Sequence, residues 1–359
     1  MSESSSPQGD IGSAIASWNG KAVLSRYVRE AEAWIFLALH DDRLGPCTGG
    51  TRIMVYETPA HGVIDAMRLA EGMTHKWAIL RQEFGGGKGV LALSRPLAED
   101  ERLALLGTYG SIIASLRGAF STGEDLGTSP SDMVHLRRFT RFVHGFDPEG
   151  RKWDPSPYTA RGVFSAIQAG LASVSDASTL NGKRVVVQGV GNVGTELVRL
   201  LLEAGATVAI SDVSDRRVSE LRESLPVSVL DPDEVLTSPC DVLAPCAVGG
   251  VLDETTIPQL QCSLVAGAAN NQLAASSDAV SLHERGILYL PDYVVNGGGA
   301  LAFSLMGSGV VDQGILTARV DGIGATITTI LDSSKVNKTT PLESARKLVE
   351  SRLEAAVRA

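Results

Sequence analysis

Apolar residues recur along this chain with two different periods, and the change from one to the other predicts its elements. The run Ala33–Leu39 (AWIFLAL), closed by the acidic pair Asp41 and Asp42, lacks helical spacing and predicts a strand. Between Gly62 and Leu80, the residues Val63, Ala66, Met67, Leu69, Ala70 and Met73 return every three or four positions and predict an amphipathic helix. A glycine run follows at Gly85–Gly87, after which Lys88 leads into an apolar strand over Gly89–Leu93. Leu103–Leu116 predicts a further helix. Ser121–Asp132, rich in Gly, Ser, Thr and Asp, predicts an irregular loop of the kind that carries site residues. Residues 1–15 are small and polar and predict no packed structure.

The pattern changes at Phe146–Tyr158 (FDPEGRKWDPSPY), where prolines and charges predict a linker between domains. Beyond it, strands and helices alternate. Helix Gly162–Ala172, strand Arg184–Gln188, helix Gly194–Ala204 and strand Thr207–Asp212 come first, then apolar runs at Val242–Ala244 and Leu264–Ala266 and a last helix over Pro341–Val357. Such alternation predicts a parallel sheet wrapped by helices. A chain of 359 residues exceeds what one core supports, so the expectation is an α/β protein of two domains, residues 1–150 and 151–329.

Composition narrows the partners. A net charge of -9 repels a phosphate backbone, which argues against nucleic acid. No segment approaches the roughly 20 apolar residues of a membrane span, and MSESSSPQGD lacks the basic start of a secretory signal, so the expected location is cytoplasmic. Cys47, Cys240, Cys246 and Cys262 form no CxxC pair and the histidines no HExxH, so reduced thiols and no metal are expected.

Within KRVVVQGVGNVGTELVRLLLEAGATVAISD, the glycines Gly189, Gly191 and Gly194 form GxGxxG after a strand and at the start of a helix. Gly189 permits a tight turn, Gly191 lets the backbone approach a pyrophosphate, and Gly194 lets helix and strand pack closely. The helix start, with Asn192 and Val193, then faces the phosphates. Asp212 ends the next strand, where a carboxylate suits ribose hydroxyls and repels a 2′-phosphate, which favours NAD over NADP; Arg216 and Arg217 close behind pull the other way.

Chemistry is expected from the first domain. Lys76 lies among apolar neighbours, compatible with a bound anion or with a lysine at a helix end. Lys88 follows three glycines, compatible with a desolvated general base or with a glycine-rich turn. Asp125 suits proton transfer and helix capping equally.

The segments Gly45–Arg52 (GPCTGGTR), Gly72–Lys76 (GMTHK), Gly85–Lys88 (GGGK) and Gly123–Asp125 (GED) resemble the glutamate/leucine/phenylalanine/valine dehydrogenase family. So do the fingerprint at Gly189–Gly194, Ala244–Ala247 (APCA), Gly267–Asn271 (GAANN) and Pro291–Asn296 (PDYVVN), in the family's order. The resemblance implies an N-terminal α/β substrate domain, rejoined by a C-terminal helix over 330–359, a Rossmann-type NAD-binding domain, a cleft between them and a homo-oligomer. It implies that Lys76 binds the substrate α-carboxylate, Lys88 activates water and Asp125 moves protons at the amino group. Gly50, Thr48, Asn270 and Val295 are implied substrate contacts. Thr159, Ala244, Cys246 and Asn270 join Gly189, Gly191, Asn192, Val193, Gly194 and Asp212 as implied cofactor contacts.

The implied reaction is oxidative deamination of an L-amino acid to its 2-keto acid and ammonia, and its reverse. Glutamate-specific relatives carry a lysine where this chain has Thr48, so a substrate carboxylate would be left unpaired here. The small Thr48, with Gly297–Gly299, points to a pocket for a bulky or aromatic side chain. A branched-chain substrate is the alternative. Glu83–Phe84 and Pro130 depart from the family's pattern beside these segments. A catalytically silent NAD-binding regulator would have no need of Lys76, Lys88 and Asp125 together, and a hydroxy-acid dehydrogenase would need a histidine, for which only His75 is at hand.

Overall fold

Strand β2 (Ala33–Asp41) is continuously apolar as far as Leu39 because both of its faces are covered: Ala33, Ile35 and Leu37 enter one core cluster, Phe36 and Ala38 another. The computed structural model describes residues 11–146, 153–174 and 179–358. Of the expected linker, 147–152 lie outside the described residues, as do 1–10 of the N-terminal stretch. The rest of that stretch corrects the sequence reading: Ile11–Trp18 forms helix α1, with Ala14 and Trp18 packed against the second cluster.

The chain divides into two units, Met1–Lys152 with Arg352–Ala359, and Trp153–Ser351. The C-terminal stretch 330–359 is therefore split, only its last residues clustering with the first unit. In the first unit β1 (Ala22–Val28), β2, β3 (Cys47–Val55), β4 (Gly85–Leu93) and β5 (Phe120–Glu124) form a sheet in the order β1-β2-β4-β3-β5. The β1-β2 and β2-β4 pairs are antiparallel, and β3 runs parallel to both β4 and β5.

Helix α2 (Pro59–Ile79) starts where Thr58 caps it, accepting from the His61 N–H, with Pro59 in the first turn. It lays Val63, Ala66, Met67 and Ala70 on one face of the sheet, against Phe36, Val90 and Ala92. Helices α3 (Glu99–Ser115) and α4 (Pro130–Leu136) cover the other face through Leu105, Tyr109, Ile113, Met133 and Leu136. The Ser121–Asp132 segment is less irregular than expected. Its start belongs to β5 and its end to α4, leaving a turn over 125–129, with Pro130 in the first turn of α4 and Ser129 capping it.

The glycine run is likewise not a turn. It is the first third of β4, a strand buried throughout. A Cβ on Gly86 would lie 2.3 Å from Ala70 O and 2.1 Å from Thr74 Oγ1 on α2, and one on Gly87 would lie 2.7 Å from the Phe120 ring, so side chains are missing because both layers press on the strand.

The second unit holds β6 (Arg184–Gln188), β7 (Thr207–Ser211), β8 (Ser228–Val229), β9 (Val242–Pro245), β10 (Leu264–Val265) and β11 (Leu288–Tyr289), all parallel, in the order β11-β10-β9-β6-β7-β8. This is the doubly wound order, with its reversal between β6 and β9. Helix α5 (Ser156–Val174) precedes the sheet; α6 (Asn192–Glu203) and α7 (Asp215–Ser224) connect β6, β7 and β8. Later come α8 (Asp278–Glu284), α9 (Asp292–Val295), α10 (Gly298–Gly307), α11 (Gln313–Asn337) and α12 (Pro341–Arg358). Arg161 on α5 ties down α11 through a forked ion pair with Asp321 at 2.6 and 2.8 Å. Among the described residues no helix is long and apolar enough to cross a membrane.

Candidate active site

Alternation along β3, β4 and β5 sends Thr48, Gly50, Arg52, Gly86, Lys88, Ser121 and Gly123 to the face that α2 covers, because β3 lies between the other two strands in register. Lys88, in mid-strand and 4% exposed, extends its ammonium to Asp125 just beyond β5, with Nζ 2.9 Å from Oδ2. Gly50 makes room for this contact: a Cβ there would lie 2.8 Å from Asp125 Cβ and 3.3 Å from Lys88 Nζ.

Arg52 Nε donates to the same Asp125 Oδ2 at 3.0 Å, and Arg52 Nη1 reaches Asp65 on α2 at 2.9 Å. Tyr56 and Arg68 complete the partners of Asp65. Opposite charges thus alternate from Asp65 through Arg52 and Asp125 to Lys88. Burial alone would raise the Asp125 pKa, but the Lys88 and Arg52 charges outweigh it and hold the carboxyl below the usual range. Among the described residues Asp125 Oδ1 receives no hydrogen bond.

The turn that carries Asp125 is closed by hydrogen bonds. Thr128 Oγ1 accepts from the Asp125 N–H at 2.9 Å and donates to Asp125 O, and Ile53 N–H bonds Leu126 O. Capping of α4 falls to Ser129, not to Asp125. Lys76 is half-buried in the last turn of α2. Beside it, Trp77 Nε1 donates to Thr48 O at 2.9 Å, which pins that turn over β3. Trp77 also packs on Phe84, one of the two departures before the glycine run.

Thr48 is 2% exposed and shares a hydrogen bond of 2.7 Å with Ser121 Oγ, which in turn lies 2.6 Å from His144 Nε2. Burial pushes the His144 pKa down to about 4, so this chain of three is uncharged at neutral pH. Ser121 and His144, like Arg52 and Asp65, were not singled out in the sequence. Ser121 stood in the right segment, but His144 gave no signal.

In the second unit the three fingerprint glycines have different surroundings. Gly189 has φ +95°, a left-handed value that favours glycine, and its missing Cβ would meet Ala247 at 2.7 Å. A Cβ on Gly194 would lie 2.0 Å from Gly189 O, whereas one on Gly191 would meet nothing within 4 Å. The loop after β6 therefore touches the loop after β9 at the reversal of strand order, and its open side is at Gly191. Asn192 and Val193 form the first turn of α6, without a side-chain cap. An uncapped helix start behind an open glycine fits a pyrophosphate.

Asp212 follows directly on β7. Its Oδ2 accepts from Val190 N–H and its Oδ1 from Ser214 N–H, at 2.8 and 2.9 Å, so it clasps the fingerprint loop. Arg217 lies 3.8 Å from it, while Arg216 pairs with Glu220. Asn270 is exposed, its Oδ1 oriented by Asn296 Nδ2 at 2.8 Å. Thr159 Oγ1 donates to Pro155 O. Ala244 and Val295 are enclosed in the core, and burial pushes the Cys246 thiol up to about 12. Two glycines of the Gly297–Gly299 run are closely packed. A Cβ on Gly298 would strike Tyr158 O at 2.0 Å and one on Gly299 would strike Thr159 Oγ1 at 2.4 Å, so these glycines serve the packing of α10 on α5.

The family model described as "Glu/Leu/Phe/Val dehydrogenase, dimerisation domain" matches residues 27–141. That described as "Glutamate/Leucine/Phenylalanine/Valine dehydrogenase" matches residues 154–220 and 214–307. The chain is 37% identical to a leucine dehydrogenase of Bacillus subtilis over 89% of its own length and 87% of the relative's. It is 38% identical to a phenylalanine dehydrogenase of Lysinibacillus sphaericus, covering 74% and 71%. The crystal structure of L-tryptophan dehydrogenase from Nostoc punctiforme superposes with a TM-score of 0.80 at 34% identity, over 97% of this chain and all of that one.

Proposed function

Because the chain belongs to the glutamate/leucine/phenylalanine/valine dehydrogenase family, we propose that it deaminates a neutral L-amino acid with a bulky or aromatic side chain, using NAD and releasing the 2-keto acid and ammonia. The observation that carries the reading is the contact between Lys88 and Asp125 beneath Gly50.

A bound nicotinamide supplies the acceptor for the hydride that leaves the substrate Cα. The remaining steps fall to side chains of this chain. Lys76 holds the α-carboxylate, which orients Cα. Asp125, kept anionic by its neighbours, takes a proton from the substrate ammonium through Oδ1. Lys88 first sheds its resting proton to solvent; as the free amine it removes a proton from the water that adds to the iminium carbon and passes it to the amino group, and it takes the hydroxyl proton as the carbinolamine collapses to keto acid and ammonia, so that Asp125 and Lys88 each end with one proton to release. Gly191 and the α6 amides would hold the pyrophosphate. The Asp212 side chain, directly after β7, supports NAD over its 2′-phosphorylated form.

The uncharged Thr48–Ser121–His144 chain supports a neutral substrate, since it offers no cation to a side-chain carboxylate. Similarity to phenylalanine and tryptophan dehydrogenases supports the aromatic choice, and the 37% identity to a leucine dehydrogenase supports a branched-chain substrate as the second reading. The dimerisation-domain match over 27–141 supports a homo-oligomer.

NADH absorbance, followed with each L-amino acid and with each keto acid plus ammonium, tests the proposal. The largest kcat/KM is expected for an aromatic or large aliphatic side chain and no turnover for glutamate. Lys88→Ala should lose turnover by at least about a hundredfold, the scale of a lost general acid–base group, and keep its affinity for NAD. Turnover of glutamate alone, or an unimpaired Lys88→Ala enzyme, would overturn the reading.

A further inference from the structure

At the amino ends of β9 and β10, far along the sheet from the fingerprint loop, two cysteines face each other. The parallel register pairs Val242 with Leu264, and continued back by two residues it sets Cys240 beside Cys262 on one face. The Cys240 N–H donates to Gln261 O at 2.9 Å, the ladder bond that this pairing requires. Neighbouring strands stand about 4.8 Å apart, inside the Cα separation of about 4.4–6.8 Å that a disulfide spans. Both residues are free thiols and both are partly exposed.

We propose that Cys240 and Cys262 form a redox modification site that reacts with low-molecular-weight disulfides and closes reversibly into an intramolecular disulfide.

The surroundings favour the first step at Cys262. The neighbouring Cys240 thiol lowers the Cys262 pKa against the opposing effect of burial, and the Arg285 guanidinium lowers it further. Arg285 is held there by bonds to the carbonyls of Ile257 and Leu260. The Cys262 sulfur and burial raise Cys240. The nearest carboxylate, Asp241, is engaged by Lys183 at 3.1 Å and by the Arg184 N–H at 2.8 Å. An adjacent thiol and a guanidinium are the surroundings that make a cysteine reactive. Cys47 and Cys246 differ, each pushed up to about 12 by burial.

The steps balance. The Cys262 thiolate attacks one sulfur of a small disulfide RSSR, whose S–S bond breaks, and RS⁻ leaves and takes up a proton. Cys240 then gives up its proton and attacks the Cys262 sulfur of the mixed disulfide, expelling the second thiol. Two protein thiols are oxidised to one disulfide, and RSSR is reduced to two RSH. This site does not depend on the substrate or cofactor reading.

Incubation of the full-length protein in its native assembly with oxidised glutathione, acid quenching, alkylation and peptide mass mapping test it. The expected product is a Cys240–Cys262 linked peptide pair, lighter by two hydrogens than the two thiol peptides and cleaved by dithiothreitol. Cys240→Ser should trap glutathione on Cys262, and Cys262→Ser should react at Cys240 about tenfold more slowly. Full alkylation of both thiols without a linked pair, or a stable mixed disulfide in the unsubstituted protein, overturns the proposal.

Discussion

Arg52 serves two carboxylates at once, and the state of Asp125 depends on it. The pKa of Asp125 and that of Asp65 would be raised by burial alone, yet both are held below the usual carboxylate range, Asp125 by Lys88 and Arg52 and Asp65 by Tyr56, Arg52 and Arg68. A depressed carboxylate stabilises the fold above its unfolded pKa, and that contribution is lost as pH falls through the folded value. Arg52→Met leaves Asp125 with one cation, so the acid limb of the kcat/KM profile should move to higher pH. Stability at neutral pH should fall by about 3–5 kcal/mol, the cost of breaking a buried pair, as measured by urea unfolding. Arg52→Lys should recover part of both; an unmoved acid limb in Arg52→Met would remove Arg52 from the positioning of Asp125. Thr48→Lys tests the neutral chain next to it. A cation beside Ser121 and His144 should bring glutamate turnover into the measurable range and reduce kcat/KM for neutral substrates, and a variant that folds but still rejects glutamate would detach Thr48 from side-chain selection. Lys88, Asp125 and Gly50 were legible because they stand in compact motifs. Arg52, Asp65, Ser121 and His144 were not, because what joins them is the position of β3 between β4 and β5 and the layer of α2 above, which no local spacing encodes.

At the scale of elements, the strongly periodic segments α2, β6, α6 and β7 were read within a few residues of their ends. The errors share a cause: glycine and small polar residues were taken as breaks where close packing demands them. Gly85–Gly87 begins a strand because α2 and Phe120 lie against it. Helix α11 went unread although Leu316, Val320, Ile323, Ile327 and Ile330 occupy one face, because Gly322, Gly324 and several threonines lower its intrinsic helix propensity; contact with α5 supplies what propensity lacks. Two glycines of neighbouring elements separate the two kinds of requirement. Gly86→Ala should destabilise by about 1–3 kcal/mol or more, since the new methyl meets α2 backbone at 2.3 and 2.4 Å. Gly72→Ala, inside α2 with nothing within 4 Å of a new Cβ, should stabilise by about 0.5–1 kcal/mol through helix propensity. Thermal unfolding of both variants checks the pair, and equal shifts would refute the packing account of the glycine run.

For the molecule as a whole, the proposed function assigns chemistry and dinucleotide binding to separate units, each with its own sheet and core, so their variants should fail in separable ways. The backbone of Gly191 is extended, with φ -67° and ψ -164°, and a Cβ there would meet no atom within 4 Å. Any L-residue can adopt that conformation, so Gly191→Val should unfold at the temperature of the parent protein when no ligand is present. Its side chain would project into the space through which the backbone approaches a pyrophosphate, and NAD affinity should be lost. A ligand that binds only the folded state stabilises it by about 2.7 kcal/mol at roughly a hundredfold excess over Kd, so NAD should raise the unfolding temperature of the parent protein measurably. The same rise is expected for Lys88→Ala, whose substitution lies in the other unit, and none for Gly191→Val. A rise that persists in Gly191→Val would move the pyrophosphate away from the α6 start, whereas a rise lost in Lys88→Ala would show that the two units do not divide the work as their separate cores suggest.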